Sequence, residues 1–254
     1  MEFLETLKDR NVVLFWFGLA NVLLFVLLLL ASFVKPVELM GTSAWDKPMK
    51  FALSIAILAW TMGWYTGYLP PGKDIQWFNW IFVGTLAFEI LYIALQAARG
   101  QASHFNLSTP FYTVLYGLMA LAASVASLGV GYIGLKFFST SLPDLPDYYL
   151  WAIRLGIILF VIFSFQGFAM GSRLSHTVGR EDGGIGIPFL NWSLSQGDLR
   201  IAHFVGMHAL QVLPLLAWFI LKDVKWTVSF FALYSMLAAF LFLQALRGNS
   251  IMPS

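Results

Sequence analysis

Long apolar runs separated by brief polar punctuation set the pattern of this chain. Seven runs qualify as membrane-crossing helices, near 11–34, 50–69, 76–97, 110–137, 149–170, 201–221 and 226–246. A helix rises about 1.5 Å per residue, so about 20 mostly apolar residues span the hydrocarbon layer. The second run is the most dilute, with Thr61, Gly63, Tyr65 and Gly67 breaking its apolar character. Pro70-Pro71-Gly72 then ends it, because proline lacks the N–H that would continue a helix and glycine turns the chain. Pro110 stands where the fourth run should start, and Leu142-Pro143-Asp144-Leu145-Pro146 makes a stiff connector before the fifth. The pattern predicts an all-α fold: a polytopic membrane helix bundle of about seven transmembrane helices, forming one domain over 1–254 with a long polar loop at 171–200. No internal repeat stands out, which weakens an architecture built from paired transporter halves.

Composition agrees with that reading. Hydrophobic residues make up 59% of the 254 positions and charged residues 11%, with a mean hydropathy of +0.76. A soluble domain carries about twice that charge. The net charge of +2 arises from 15 basic and 13 acidic residues scattered along the chain, which excludes a nucleic-acid surface. There is no cysteine, so disulfides, thiolate metal sites and cysteine nucleophiles are excluded. The first run is longer than a signal-peptide core and no small-x-small motif follows it, so it reads as a retained helix.

Seven crossings put the loops 35–49, 98–109 and 171–200 on one face. The N-terminal side holds Lys8, Arg10, Lys73, Lys136, Lys222 and Lys225; the other holds Lys35, Lys47, Lys50, Arg99, Arg173, Arg180, Arg200 and Arg247. Lys50, Arg99, Arg173 and Arg200 fall in segments expected to line a site, and short loops weigh most, so the N-terminus is expected in the cytoplasm. Trp77, Trp80, Tyr148, Tyr149, Trp151 and Trp226 lie at helix ends on that face, as interfacial aromatics do.

Nearly all the unusual chemistry falls on the opposite face. Glu89, Gln96 and Ser103 recur every seven residues and so share a stripe on the third helix, flanked by Arg99 and His104 if the helix continues past Gly100; Asn106 follows. Interhelical hydrogen bonding is the ordinary use of such residues, but it seldom needs an ionisable group as deep as Glu89. Asp198 suits the N-cap of the sixth helix, which then carries Arg200, His203, His208 and Gln211. His203 and His208 lie five residues apart, about 140° around the axis, so the pair cannot chelate one metal without donors from elsewhere. His176 sits in the 171–200 loop, whose length fits a lid or binding loop, and the glycine run at 183–188 reads as tight turns. Gln166 on the fifth helix and Lys50 on the second, in a stripe with Ser54 and Thr61, complete the inward candidates.

The strings Trp45-Asp-Lys-Pro-Met-Lys-Phe51, Gln96 to Asn106 and Gly197 to Gln211 resemble a group of bacterial seven-helix membrane proteins with no assigned activity. The resemblance covers most of the chain and implies a bacterial inner membrane. Seven-helix zinc hydrolases use an HxxxH pair near their end; here the spacing is His203-x-x-x-x-His208, so none of their residues carry over.

Three functions fit these residues. The first is a membrane enzyme dependent on a transition metal or haem held by His104, His203 and His208, with Glu89, Arg99 and Arg200 catalytic. Its substrate would be a lipid or other hydrophobic molecule contacted by Gln96, Ser103, Asn106, Gln166, His176, Asp198, Gln211 and Lys50. The second is a sensor or assembly partner that binds a lipid or another membrane protein. The third is a small proton-coupled transporter using Glu89.

Overall fold

The structure, a computed structural model, describes residues 2–39, 41–180, 182–183 and 186–251. Among these residues the fold is all-α, in the order α1 (Glu2–Arg10), α2 (Val12–Val34), α3 (Asp46–Thr66), α4 (Lys73–Ala98), α5 (Pro110–Ser139), α6 (Asp147–Gly171), α7 (Leu199–Leu216) and α8 (Val224–Leu246). Two antiparallel pairs of two-residue strands interrupt the loops: β1 (Glu38–Leu39) with β2 (Thr42–Ser43), and β3 (Thr177–Val178) with β4 (Gly197–Asp198). The seven expected helices are all present, with ends shifted by a few residues. Helix α1 was not expected, because its sequence is polar and too short to read as a span.

Six helices are long and apolar enough to cross a membrane, α3 being the exception. It has the length, at 21 residues. Its relative polarity has a physical reason: α3 packs against α1, α2 and α4, and residues from Pro48 to Thr66 along it are buried by protein. A helix enclosed by other helices does not need a fully lipophilic surface.

The chain forms two compact units, Met1–Gly129 and Val130–Ser254, with the boundary inside α5. In the first, buried Asn11 is the central fastener. Its side-chain oxygen caps α2 by accepting from Leu14 N at 3.0 Å, while its Nδ2 donates to Thr66 Oγ1 (2.9 Å) and Asn79 Oδ1 (3.0 Å). One amide thus ties the α1–α2 junction to α3 and α4 with its polar atoms satisfied, which a buried amide requires. Arg10 lies 4.1 Å from the ring centres of both Trp64 and Tyr68 and donates to Trp64 O. Trp60 lies over Gly18 and donates to Phe15 O at 3.1 Å; a Cβ at residue 18 would stand 2.1 Å from Trp60 Nε1.

In the second unit α6 and α7 approach closely. A Cβ at Gly206 would overlap the Phe163 ring at 1.9 Å. Arg154 turns back to the end of α5, donating from Nε (2.9 Å) and Nη2 (2.7 Å) to Phe137 O, a terminal helix carbonyl with no partner of its own helix type. Pro214 interrupts the last turns of α7, which pass into a π-helical turn, Ala217–Leu221, closed by left-handed Lys222.

Candidate functional site

The C-terminal half of α4 carries a polar stripe in which three buried side-chain oxygens lack a hydrogen-bond partner among the described residues. Glu89, Tyr92 and Gln96 are 5%, 7% and 1% exposed. At about 100° per residue they fall within about 60° of arc on one helix face. Glu89 Oε1, Tyr92 OH and Gln96 Oε1 are buried without a hydrogen-bond partner among the described residues. Such atoms are rare in folded proteins, because each carries a desolvation cost of about 1–3 kcal/mol when unpaired. The surroundings are aromatic and apolar: Tyr92 stacks on Phe88 at 6.3 Å, and Phe51, Leu115 and Met119 pack around it. The positive charge of Lys47, at the start of α3, acts on the Glu89 carboxylate.

Local sequence explains this placement. Gly100 takes the left-handed conformation at φ +65°, Gln101 N donates to Gln96 O (2.9 Å) and Gly100 N to Ala97 O (3.0 Å). This is a Schellman ending, which glycine favours because it has no Cβ to clash. Lys35 Nζ adds a bond to Ala98 O at 3.3 Å. The helix therefore stops at Ala98, and the expected stripe does not continue along it to Ser103 and His104. Those residues reach the same neighbourhood through the loop instead. Buried Ser103 pairs its Oγ with His104 Nδ1 at 3.1 Å, and His104 lies 5.9 Å from the Phe51 ring and 6.3 Å from that of Tyr116. Asn106 is occupied in the turn, donating to Ala102 O and accepting from Ser108 N and Oγ. Arg99 is exposed at the α4 C-cap. Lys50 is half-buried on α3, and the charge of Lys47 reaches Glu89.

In the second unit the 171–200 loop is organised by two carboxylates. Asp182 accepts from Ser175 Oγ (2.7 Å), His176 N (2.9 Å), His176 Nδ1 (2.6 Å), Thr177 N (3.0 Å) and Thr177 Oγ1 (2.8 Å). Burial acts to raise its pKa, but the His176 and Ser175 hydrogen bonds and the His176 charge outweigh that and hold the carboxyl well below the usual carboxylate range. Buried Asp198 caps α7 as expected, accepting from Arg200 N at 3.0 Å, and also takes Ser193 N (2.8 Å), Arg200 Nε (2.9 Å) and Arg200 Nη2 (2.6 Å). Arg200 Nη2 further donates to Asn191 O. Arg200 and His176 are therefore both engaged in holding the loop. Strand β4 also rests on α8, where a Cβ at Gly197 would stand 2.2 Å from Ala245 O. Glu181 and the Gly184-Ile185 portion of the glycine run lie outside the described residues.

His203 Nδ1 bonds Phe163 O at 2.7 Å across the α6–α7 contact, and His208 Nδ1 bonds Phe204 O at 2.9 Å within its own helix. A carbonyl only accepts, so each ring carries its proton on Nδ1. His208 also stacks on Phe204 at 3.9 Å, which meets Trp192 edge-on at 5.3 Å. Gln211 is half-buried on α7. Gln166 Nε2 and Oε1 are shut off from the surface without a partner, as is Ser164 Oγ, which the sequence reading did not select. Tyr92 was also missed, since a tyrosine in a span reads as an ordinary aromatic; its spacing from Glu89 and Gln96 was the available signal.

Among the described residues no three His, Cys, Asp or Glu side chains gather in a way that could hold a metal ion. No family model, curated protein or solved structure matches the chain, so the functional reading rests on the geometry.

Proposed function

We propose that this multi-pass membrane protein binds a lipid or other hydrophobic small molecule in its Met1–Gly129 unit, at the face of α4 bearing Glu89, Tyr92 and Gln96, and acts as a sensor or assembly factor. The observation that carries the reading is the set of three buried side-chain oxygens without a partner among the described residues, on a helix face where aromatic and apolar side chains pack around Tyr92. Binding sites for small molecules combine mostly apolar walls with a few convergent polar groups. A stripe kept for stability alone would be paired, or replaced by apolar residues of the same shape at little cost.

That contrast gives the test. In the double variant Glu89→Gln/Gln96→Leu, a carboxyl and one orphaned amide are removed. The expected outcome is a protein that melts at least as high as wild type in detergent but no longer retains extractable lipid after purification, measured by mass spectrometry of solvent extracts. Equal lipid retention by variant and wild type rejects the reading.

A second reading, a proton-coupled carrier, is favoured by one observation: Glu89 is a buried carboxyl inside an apolar helix, with the charge of Lys47 acting on it. Equal proton flux through Glu89→Gln and wild type in proteoliposomes rules it out. The metal-dependent enzyme gains no support from a clustered donor set among the described residues. An N-terminus in the cytoplasm is supported by the basic tail and turns at Lys8, Arg10, Lys73, Lys136, Lys222 and Lys225.

A further inference from the structure

We infer that the molecule bound at the α4 face presents neutral hydrogen-bond donors, as a hydroxyl-bearing head on an apolar body, rather than an anionic or quaternary ammonium head. This rests on the proposed binding role of the same face and specifies its ligand chemistry.

The amide of Gln96 carries the first part. Its Nε2 donates to Ala102 O at 3.2 Å, and since that carbonyl can only accept, the amide is oriented with Oε1 turned to the unpartnered side. Gln96 thus turns an unpartnered acceptor, Oε1, to an incoming group, with one of its two Nε2 hydrogens already given to Ala102 O. The Glu89 carboxylate offers the same kind of atom at Oε1. Tyr92 OH, on the same face, can donate or accept. Two acceptors flanking one bifunctional hydroxyl call for donors on the ligand.

Charge then separates the remaining heads. A phosphate or carboxylate would face two acceptor oxygens and would leave Glu89 beside a like charge. A quaternary ammonium brings no N–H to satisfy them, and the positive charge of Lys47 already acts on Glu89. A hydroxyl satisfies an acceptor without adding charge. The rings of Phe51, Phe88 and Tyr92, with Leu115 and Met119, supply the apolar wall for the body.

Three probes of equal chain length test this, each with a diazirine in the chain: a monoacylglycerol, a fatty acid and an alkyltrimethylammonium. Each is photocrosslinked to wild-type protein in nanodiscs, and the labelled peptides are mapped. The expected result is preferential labelling by the monoacylglycerol on peptides from α3, α4 and the start of α5. Gln96→Leu should lower it about tenfold, equivalent to about 1.4 kcal/mol. Tyr92→Phe, which changes a single atom, should lower it as well and serves if Gln96→Leu does not fold. Stronger labelling of the same peptides by the fatty acid or the ammonium probe overturns the head-group inference while leaving the binding site intact. No labelling of these peptides by any probe overturns both. Undiminished monoacylglycerol labelling in both variants overturns the assignment of the acceptors.

Discussion

Replacing Asp198 by alanine should loosen the 171–200 loop and lower the stability of the protein by a predictable amount. The Asp198 side chain is fully buried while that of Arg200 is 27% exposed. The carboxylate serves three tasks: it caps α7, satisfies the buried Ser193 amide at 2.8 Å, and pairs with the Arg200 guanidinium at 2.6 Å. Loss of an N-cap costs about 1 kcal/mol, and an orphaned buried amide about 1–3 kcal/mol. Breaking a fully buried ion pair costs about 3–5 kcal/mol, but Arg200 keeps its bond to Asn191 O and part of its solvent contact, so its share is closer to the roughly 1 kcal/mol of an exposed pair. Together these give about 3–5 kcal/mol, or roughly 6–20 °C in melting temperature for a chain of this size. Thermal unfolding in detergent, followed by tryptophan fluorescence, reads the shift. Asp198→Asn, which keeps one accepting oxygen, should fall between wild type and Asp198→Ala. A melting temperature for Asp198→Ala within about 2 °C of wild type, with unchanged hydrogen exchange over 191–200, would refute the assignment of Asp198 as the loop's anchor.

Two further outcomes follow from the packing. Gly18→Ala places a Cβ against the Trp60 indole and should cost about 1–3 kcal/mol of stability; adding Trp60→Leu should recover most of it, and a double-mutant cycle that shows no coupling rejects the contact. The Asp182 carboxyl has a folded pKa below its unfolded one, so its contribution is complete above the unfolded value of about 3.9 and fades as pH falls from there. Protease resistance of the 172–198 loop should therefore hold from neutral pH to about pH 4 and decline below, while Asp182→Asn should be less resistant at neutral pH and lack the acid step. A wild-type loop that stays as resistant below pH 4 as at neutral pH would reject the role given to Asp182.

The spans were legible because a run of apolar residues has few outcomes in lipid. The first helix, α1, was not, because nothing in Glu2–Arg10 announces that Asn11 will end it and cap α2 while reaching Thr66 and Asn79. The heptad spacing of Glu89 and Gln96 correctly placed both on one face. It overreached at Ser103, because Gly100 stops the helix by a backbone conformation that side-chain periodicity does not register. What His203 and His208 bond was not legible. Their Nδ1 bonds to Phe163 O and Phe204 O are tertiary and local choices that composition leaves open. Asp182 was likewise invisible, since its five donors come together only when the loop closes on itself.

The intermediate polarity of α3 bears on how the chain is made. A segment that is too polar to partition strongly into lipid gains its place from neighbouring helices, and α1, α2 and α4 are the ones that enclose it. Biogenesis of the first unit is then a cooperative event: α3 stays a marginal insert until α4 has emerged, and Asn11 can close its bond to Asn79 only at that point. Ribosome-stalled chains ending before Lys73 would accordingly hold α3 weakly in the bilayer, whereas chains reaching past Ala98 would hold it fast.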